Sequence, residues 1–116
     1  MMFTNTIKKS HEFSRVYKRG RYYVGRLLIL YMLKNSAADA SGFNSLGVTA
    51  SKKVGKSVRR NRLRRLVKEN YRGLEPVLRR GAAIVFVVRP QAGLPSYDDV
   101  KADMAGLLKR AGMVQQ

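Results

Sequence analysis

Ten lysines and arginines fall between residues 52 and 72: Lys52, Lys53, Lys56, Arg59, Arg60, Arg62, Arg64, Arg65, Lys68 and Arg72. A single acid, Glu69, lies among them. The chemistry open to such a set is anion binding. An arginine guanidinium pairs two-pronged with phosphate oxygens and stacks on bases, which a lysine ammonium cannot do. Helical spacing puts Arg60, Arg64 and Lys68 in one row, with Arg62, Arg65 and Arg72 beside it, away from an apolar stripe of Leu63, Leu66 and Val67. Like charges at i, i+4 destabilise an isolated helix by roughly 0.2–0.5 kcal/mol per pair. The row therefore points to a binding surface, and a merely solvated face explains it poorly because nothing acidic balances it. Ahead of the helix, the Gly, Ser and Lys residues of Ser51-Lys-Lys-Val-Gly-Lys-Ser57 can present backbone N–H groups and a helix N-terminus to a phosphate. The segment is not a P-loop, since no glycine lies five residues before Gly55.

A second surface is written in Ser45–Ser51. Leu46, Val48 and Ala50 alternate with Gly47, Thr49 and Ser51, giving a strand with one apolar face and one small, polar face. A single nucleic-acid strand could lie on the small face. Rings beside it could stack on bases, each worth roughly 1–3 kcal/mol. Phe13, Tyr17 and Tyr31 are the candidates, although a ring taken alone more often belongs to a core than to a base platform, and Phe13 could simply anchor its helix.

Protein-borne catalysis finds no support. His11 is the only histidine and there is no cysteine, which excludes a two-histidine acid–base pair, a thiolate metal site and a cysteine nucleophile. Asp98, Asp99 and Asp103 could be imagined around a metal, but their place at the start of a helix fits capping and dipole stabilisation better.

The elements that must position these residues fit one domain, residues 1–116, with 1–9 expected to be a flexible basic N-terminus. Ser10 can cap a short helix carrying Phe13, Val16 and Tyr17, ended by Gly20. Tyr22–Lys34 reads as strand with a break at Gly25, and Asn35–Asn44 as a loop. Ser45–Ser51 is expected to pair antiparallel with Tyr22–Lys34. The basic helix runs from about Ser57 to Arg72 or Leu74. Ala82–Val88 reads as a strand buried on both faces. Ser96 and Asp99 form a capping box for a last helix with Val100, Met104, Leu107, Leu108 and Ala111 inward. This is an α/β (α+β) layer fold, and adjacent parallel strands around the basic helix would by the general rule cross over right-handed. A net charge of +17 calls for an anionic partner, nucleic acid first and an anionic membrane surface second. The N-terminus lacks a signal-peptide run, and the longest apolar run, Leu27–Leu33, is far short of the ~20 residues of a membrane span. A soluble cytoplasmic protein is expected. No helix-turn-helix, zinc-finger or zipper pattern supports DNA binding.

The string SKKVGKSVRRNRLRRL, centred on Arg60-Asn61-Arg62, resembles the signature of the bacterial ribonuclease P protein subunit family. Phe13-x-x-Val-Tyr17 before Lys18-Arg19-Gly20 resembles the family's first helix, Leu30-Tyr31 its strand, and Val87-Val88-Arg89-Pro90 the end of its last core strand. The resemblance implies a two-layer sandwich like the second domain of ribosomal protein S5, in the order α-β-β-β-α-β-α, with an unusual left-handed crossover. It implies an endoribonuclease subunit that binds a catalytic RNA and helps remove the 5′ leader of precursor tRNA, with catalysis and most of the Mg2+ belonging to the RNA and no small-molecule substrate. Lys52, Lys53, Lys56, Arg59, Arg60, Asn61, Arg62, Arg64, Arg65 and Lys68 would contact the RNA, Asn61 sharing a metal with it. Phe13, Tyr17, Tyr31, Thr49, Ser51 and Arg89 would form the leader cleft, with Tyr17 where the family often has Phe. The competing reading is a ribosomal or assembly protein that uses the same helix with no part in cleavage.

Overall fold

Seven consecutive apolar residues, Ala82–Val88, can be satisfied only in the middle of a sheet covered on both sides, and that is where the computed structural model places them. It describes residues 1–34 and 42–115, so most of the loop expected at 35–44 lies outside the described residues. The elements are β1 (Thr4–Thr6), α1 (Ser10–Arg19), β2 (Arg21–Val24), β3 (Leu28–Lys34), β4 (Asn44–Thr49), α2 (Ser57–Leu74), β5 (Ala82–Val88) and α3 (Tyr97–Arg110), with short 3-10 turns at Lys52–Val54 and Glu75–Val77. They form one five-stranded sheet in the order β1-β4-β5-β3-β2.

Two expectations are corrected here. β3 and β4 are not partners, because β5 lies between them, antiparallel to β3 and parallel to β4. The strand apolar on both faces takes the centre, and β4, with its small polar face, sits one place nearer the edge. The N-terminus is not a flexible tail. Thr4–Thr6 pairs parallel with Asn44–Leu46, and Phe3 and Ile7 are buried. The buried Glu75 carboxylate accepts the N–H groups of Met2 (2.7 Å) and Phe3 (3.2 Å) and the Thr4 hydroxyl. Burial pushes the Glu75 carboxyl up. The Thr4 hydroxyl, these two N–H groups and the N-terminal ammonium outweigh that and hold it below the usual carboxylate range.

The expected two-layer core is present. Leu28, Leu30, Met32, Leu46, Ile84, Phe86 and Val88 face Leu63, Val67 and Tyr71 of α2 and Val100, Met104, Leu107 and Leu108 of α3. α1 partly covers the other face through a smaller cluster of Val16, Ile7, Ala83 and Val85. β4, α2 and β5 form the parallel strand–helix–strand unit, with Ser45–Thr49 registered against Ala83–Val87.

The strand break at Gly25 has a definite cause. Asp103 of α3 accepts the N–H groups of Arg26, Leu27 and Leu28 at 2.9–3.0 Å, and a Cβ on Gly25 would lie 2.6 Å from that carboxylate. Asp99 and Ser96 exchange the two bonds of the capping box, 3.0 and 3.1 Å, and Ser96's backbone N–H lowers the Asp99 carboxyl. Ser10, by contrast, is the first residue inside α1. The capping position is Lys9, whose side chain makes no cap. Among the described residues no helix is long and apolar enough to cross a membrane.

Candidate nucleic-acid interface

The outer face of α2 follows from its inner one. Leu63, Val67, Asn70 and Tyr71 are buried, leaving Asn61, Arg62, Arg65, Lys68 and Arg72 exposed, continuous with exposed Lys52, Lys53 and Lys56 of the preceding loop. The row Arg60–Arg64–Lys68 is not the outermost one. Arg60 lies two turns before Val67, on the inward stripe, and is half-buried with its Nη2 3.2 Å from the Ser57 hydroxyl. Its Nε is buried with no partner among the described residues. Arg64 is also half-buried and donates to the Asn61 side-chain carbonyl.

Arg59 is held by the protein itself. Its Nε donates to the Val54 carbonyl (3.0 Å) and its Nη2 to those of Gln91 (2.9 Å) and Gly93 (2.6 Å), clipping the 3-10 turn and the 90–95 loop to α2. Gly55 makes this path open. It has φ 146°, and a Cβ there would meet the Arg59 side chain at 2.5 Å. No side chain caps the first turn of α2, so its N–H groups face outward beside Lys56.

The opposite sheet face carries the rings. α1 is drawn onto the sheet by Phe13, whose ring edge occupies the space a Cβ on Gly47 would need. Phe13 is therefore an anchor. At the end of α1, a Cβ on Gly20 would lie 2.6 Å from the Val16 carbonyl oxygen and 2.8 Å from that of Met32, so the close return to β2 depends on glycine. This seats Tyr17 edge-on to Tyr31, with centroids 4.8 Å apart and its hydroxyl 3.4 Å from that of Thr49.

A third ring belongs to this group. Tyr22 pairs with Tyr31 across β2 and β3, with centroids 5.9 Å apart, and is 65% exposed against 38% for Tyr17. Tyr22 is not among the rings expected from sequence, because only the β2–β3 register sets it opposite Tyr31. Ser51 is exposed at the mouth of the basic loop. Arg89 is braced by the hairpin, its Nη1 donating to the Gly25 carbonyl oxygen at 2.6 Å. The chain leaves the ring face at Thr49, the last residue of β4, and enters the basic loop at Lys52.

A family model described as Ribonuclease P matches residues 1–112. The chain belongs to the ribonuclease P protein family. A ribonuclease P protein component of Clostridium botulinum (strain Loch Maree, type A3) is 45% identical over 113 residues, covering 97% of this chain and 98% of that protein. One from Clostridium perfringens (strain SM101) is 41% identical over 111 residues, 93% of this chain and 89% of the relative. The solved Staphylococcus aureus RNase P protein superposes with a TM-score of 0.83 at 26% identity, covering 95% of this chain and 97% of that one. The Thermotoga maritima RNase P protein gives 0.77 at 25% identity, covering 91% and 96%. The fold is that of ribonuclease P proteins, as the basic string and element order imply. The family's Arg-Asn-Arg motif here comprises one half-buried arginine, one exposed one, and an Asn61 engaged with Arg64.

Proposed function

We propose that this chain is the protein subunit of a cytoplasmic ribonuclease P ribonucleoprotein, binding its catalytic RNA along α2 and the Lys52–Lys56 loop and holding the 5′ leader of precursor tRNA on the ring face. The observation that carries this reading is the junction at the end of β4. There a ring surface (Tyr17, Tyr22 and Tyr31, with the Thr49 hydroxyl) on one face of the sheet leads along the chain through Ser51 into the exposed loop cations Lys52, Lys53 and Lys56, and from them to exposed Arg62, Arg65, Lys68 and Arg72 on the helix of the other face. A single strand leaving a structured RNA needs both kinds of surface: rings for bases that are unpaired, and cations for a backbone that is folded.

The chemistry of cleavage is assigned to the RNA, with Mg2+ bound mainly there. The residues of α2 do not fit as a metal cradle on their own. Asn61 turns its carbonyl toward the Arg64 guanidinium, among arginines that would repel a divalent cation. The protein's part is to fix two RNA segments relative to each other.

The test is precursor-tRNA cleavage at low Mg2+ by a bacterial ribonuclease P RNA, with and without the protein. Rescue is expected, with loss in the Tyr17→Ala/Tyr31→Ala double variant and no such loss on a leaderless substrate. Tight RNA binding without rescue would instead favour the ribosomal or assembly reading.

A further inference from the structure

Beside the Arg-Asn-Arg motif lies an apolar feature that phosphate binding does not explain. Val58, in the first turn of the most basic helix of the chain, is 75% exposed, and Leu94 in the facing loop is 49% exposed. Together with Lys56, Arg59 and Arg62 they line a mainly apolar groove of about 370 Å³. Its volume is at the low end of the ~300–1,000 Å³ typical of small-ligand pockets. Leu94 is held in place through its loop, whose Gln91 and Gly93 carbonyls both receive the Arg59 guanidinium. Pro90 and Pro95 stiffen the loop at either end. The groove is thus built before any ligand arrives, and such preorganisation reduces the ordering cost of binding.

We infer that this groove receives one unstacked nucleobase of the RNA that lies along α2, its face against Val58 and Leu94 and its flanking phosphates on Lys56 and Arg62. The inference rests on the reading of α2 as an RNA-binding helix. Charge selects the occupant. An apolar slot rimmed by Lys56 and Arg62, on a chain of net charge +17, suits a flat apolar ring attached to an anionic backbone and repels a second copy of the same chain. A base is such a ring, and only an unpaired base can present its face.

The test compares Val58→Ser, Leu94→Ser and their double variant with the wild-type chain on a bacterial ribonuclease P RNA. Affinity is measured across a salt series and the RNA is probed base by base with dimethyl sulfate. Both side chains are exposed, so unchanged thermal midpoints are expected to show that the variants fold. The double variant should bind about 10-fold more weakly, since the apolar contact of two aliphatic side chains with the base is lost, with an unchanged salt slope. One unpaired nucleotide shielded by the wild-type protein should become reactive, and Leu94→Met should retain the shielding. Unchanged affinity and unchanged reactivity in the double variant overturn the inference. Arg65→Ala and Lys68→Ala separate that failure from a wider one. If they still weaken binding and flatten the slope, only the base groove is lost; if they too have no effect, the RNA-binding reading of α2 falls with it.

Discussion

Arg59 and Arg62 are neighbours on the same helix turn, yet Arg59 is committed to backbone carbonyls while Arg62 is exposed, and salt should separate them. Seven cations of the loop and helix are exposed: Lys52, Lys53, Lys56, Arg62, Arg65, Lys68 and Arg72. If each neutralises one phosphate, log K should fall against log salt with a slope of about −5 to −6, using the per-phosphate coefficients of single-stranded and duplex nucleic acid. Between about 50 and 200 mM salt the affinity should then drop about 10³- to 10⁴-fold. Arg62→Ala or Arg65→Ala removes one such contact and should flatten the slope by about 0.7–0.9. Arg59→Ala removes a side chain whose donors already serve Val54, Gln91 and Gly93. It should leave the slope unchanged while lowering the unfolding free energy by roughly 1–3 kcal/mol, since three carbonyls lose a charged donor. Filter binding or fluorescence anisotropy at five or six salt concentrations, with urea unfolding in parallel, gives both numbers. A slope that flattens as much for Arg59→Ala as for Arg62→Ala, or does not flatten for Arg62→Ala, would refute the division of labour drawn from these hydrogen bonds.

Gly47→Ala should destabilise the fold by about 1–3 kcal/mol, as overpacking does, because the new methyl meets the Phe13 ring; thermal denaturation and a weakened preference for leader-bearing substrate would show it. Tyr22→Ala should weaken binding of precursor tRNA with a leader by about 5- to 150-fold and spare a leaderless one, and equal losses on both would remove Tyr22 from the leader surface. Glu75 has a carboxyl pKa lower folded than unfolded, so its contribution to stability is fully present above the unfolded value of about 4.3 and is lost as pH falls through the folded value. Glu75→Gln should therefore cost stability at pH 7 and show a shallower acid decline than the wild type; parallel declines would place the acid sensitivity in other carboxylates.

What could be read from the residues depended on the length of the pattern. α2 declares itself through the repeat of Leu63, Val67 and Tyr71, α3 through its capping box and the Val100–Met104–Leu107–Leu108 stripe, and β5 through seven unbroken apolar residues. β1 has three residues, too few for any periodicity, and its two signals, Phe3 and Ile7, are isolated apolar residues in a polar stretch. The neighbours of β3 and β4 are not legible in sequence, because local sequence carries no record of β5, the partner both take from much later in the chain. In the site, residue types identified the basic surface, whereas the commitments of individual arginines depend on backbone carbonyls brought close by the fold. Arg59 reaches Gln91 and Gly93, and Arg89 reaches Gly25, across separations of 32, 34 and 64 positions. Phe13 was the ring whose role stayed open in sequence, and only the proximity of Gly47 resolves it as an anchor.

The central position of β5 also fixes when the domain can come into being. β3 and β4 pair with β5 and not with each other, and β1 reaches the sheet only through β4. A nascent chain that has emerged only as far as residue 81 can close the β2–β3 hairpin, but it lacks the strand that joins the two halves of the sheet. The basic helix lies within that stretch, so on a ribosome its arginines emerge before the sheet that turns Leu63 and Val67 away from solvent can close. Closing the sheet is then a late event that rests on distant contacts, which slow folding relative to local ones. A polyanion able to neutralise the helix during that interval would act on the folding chain as well as on the folded one.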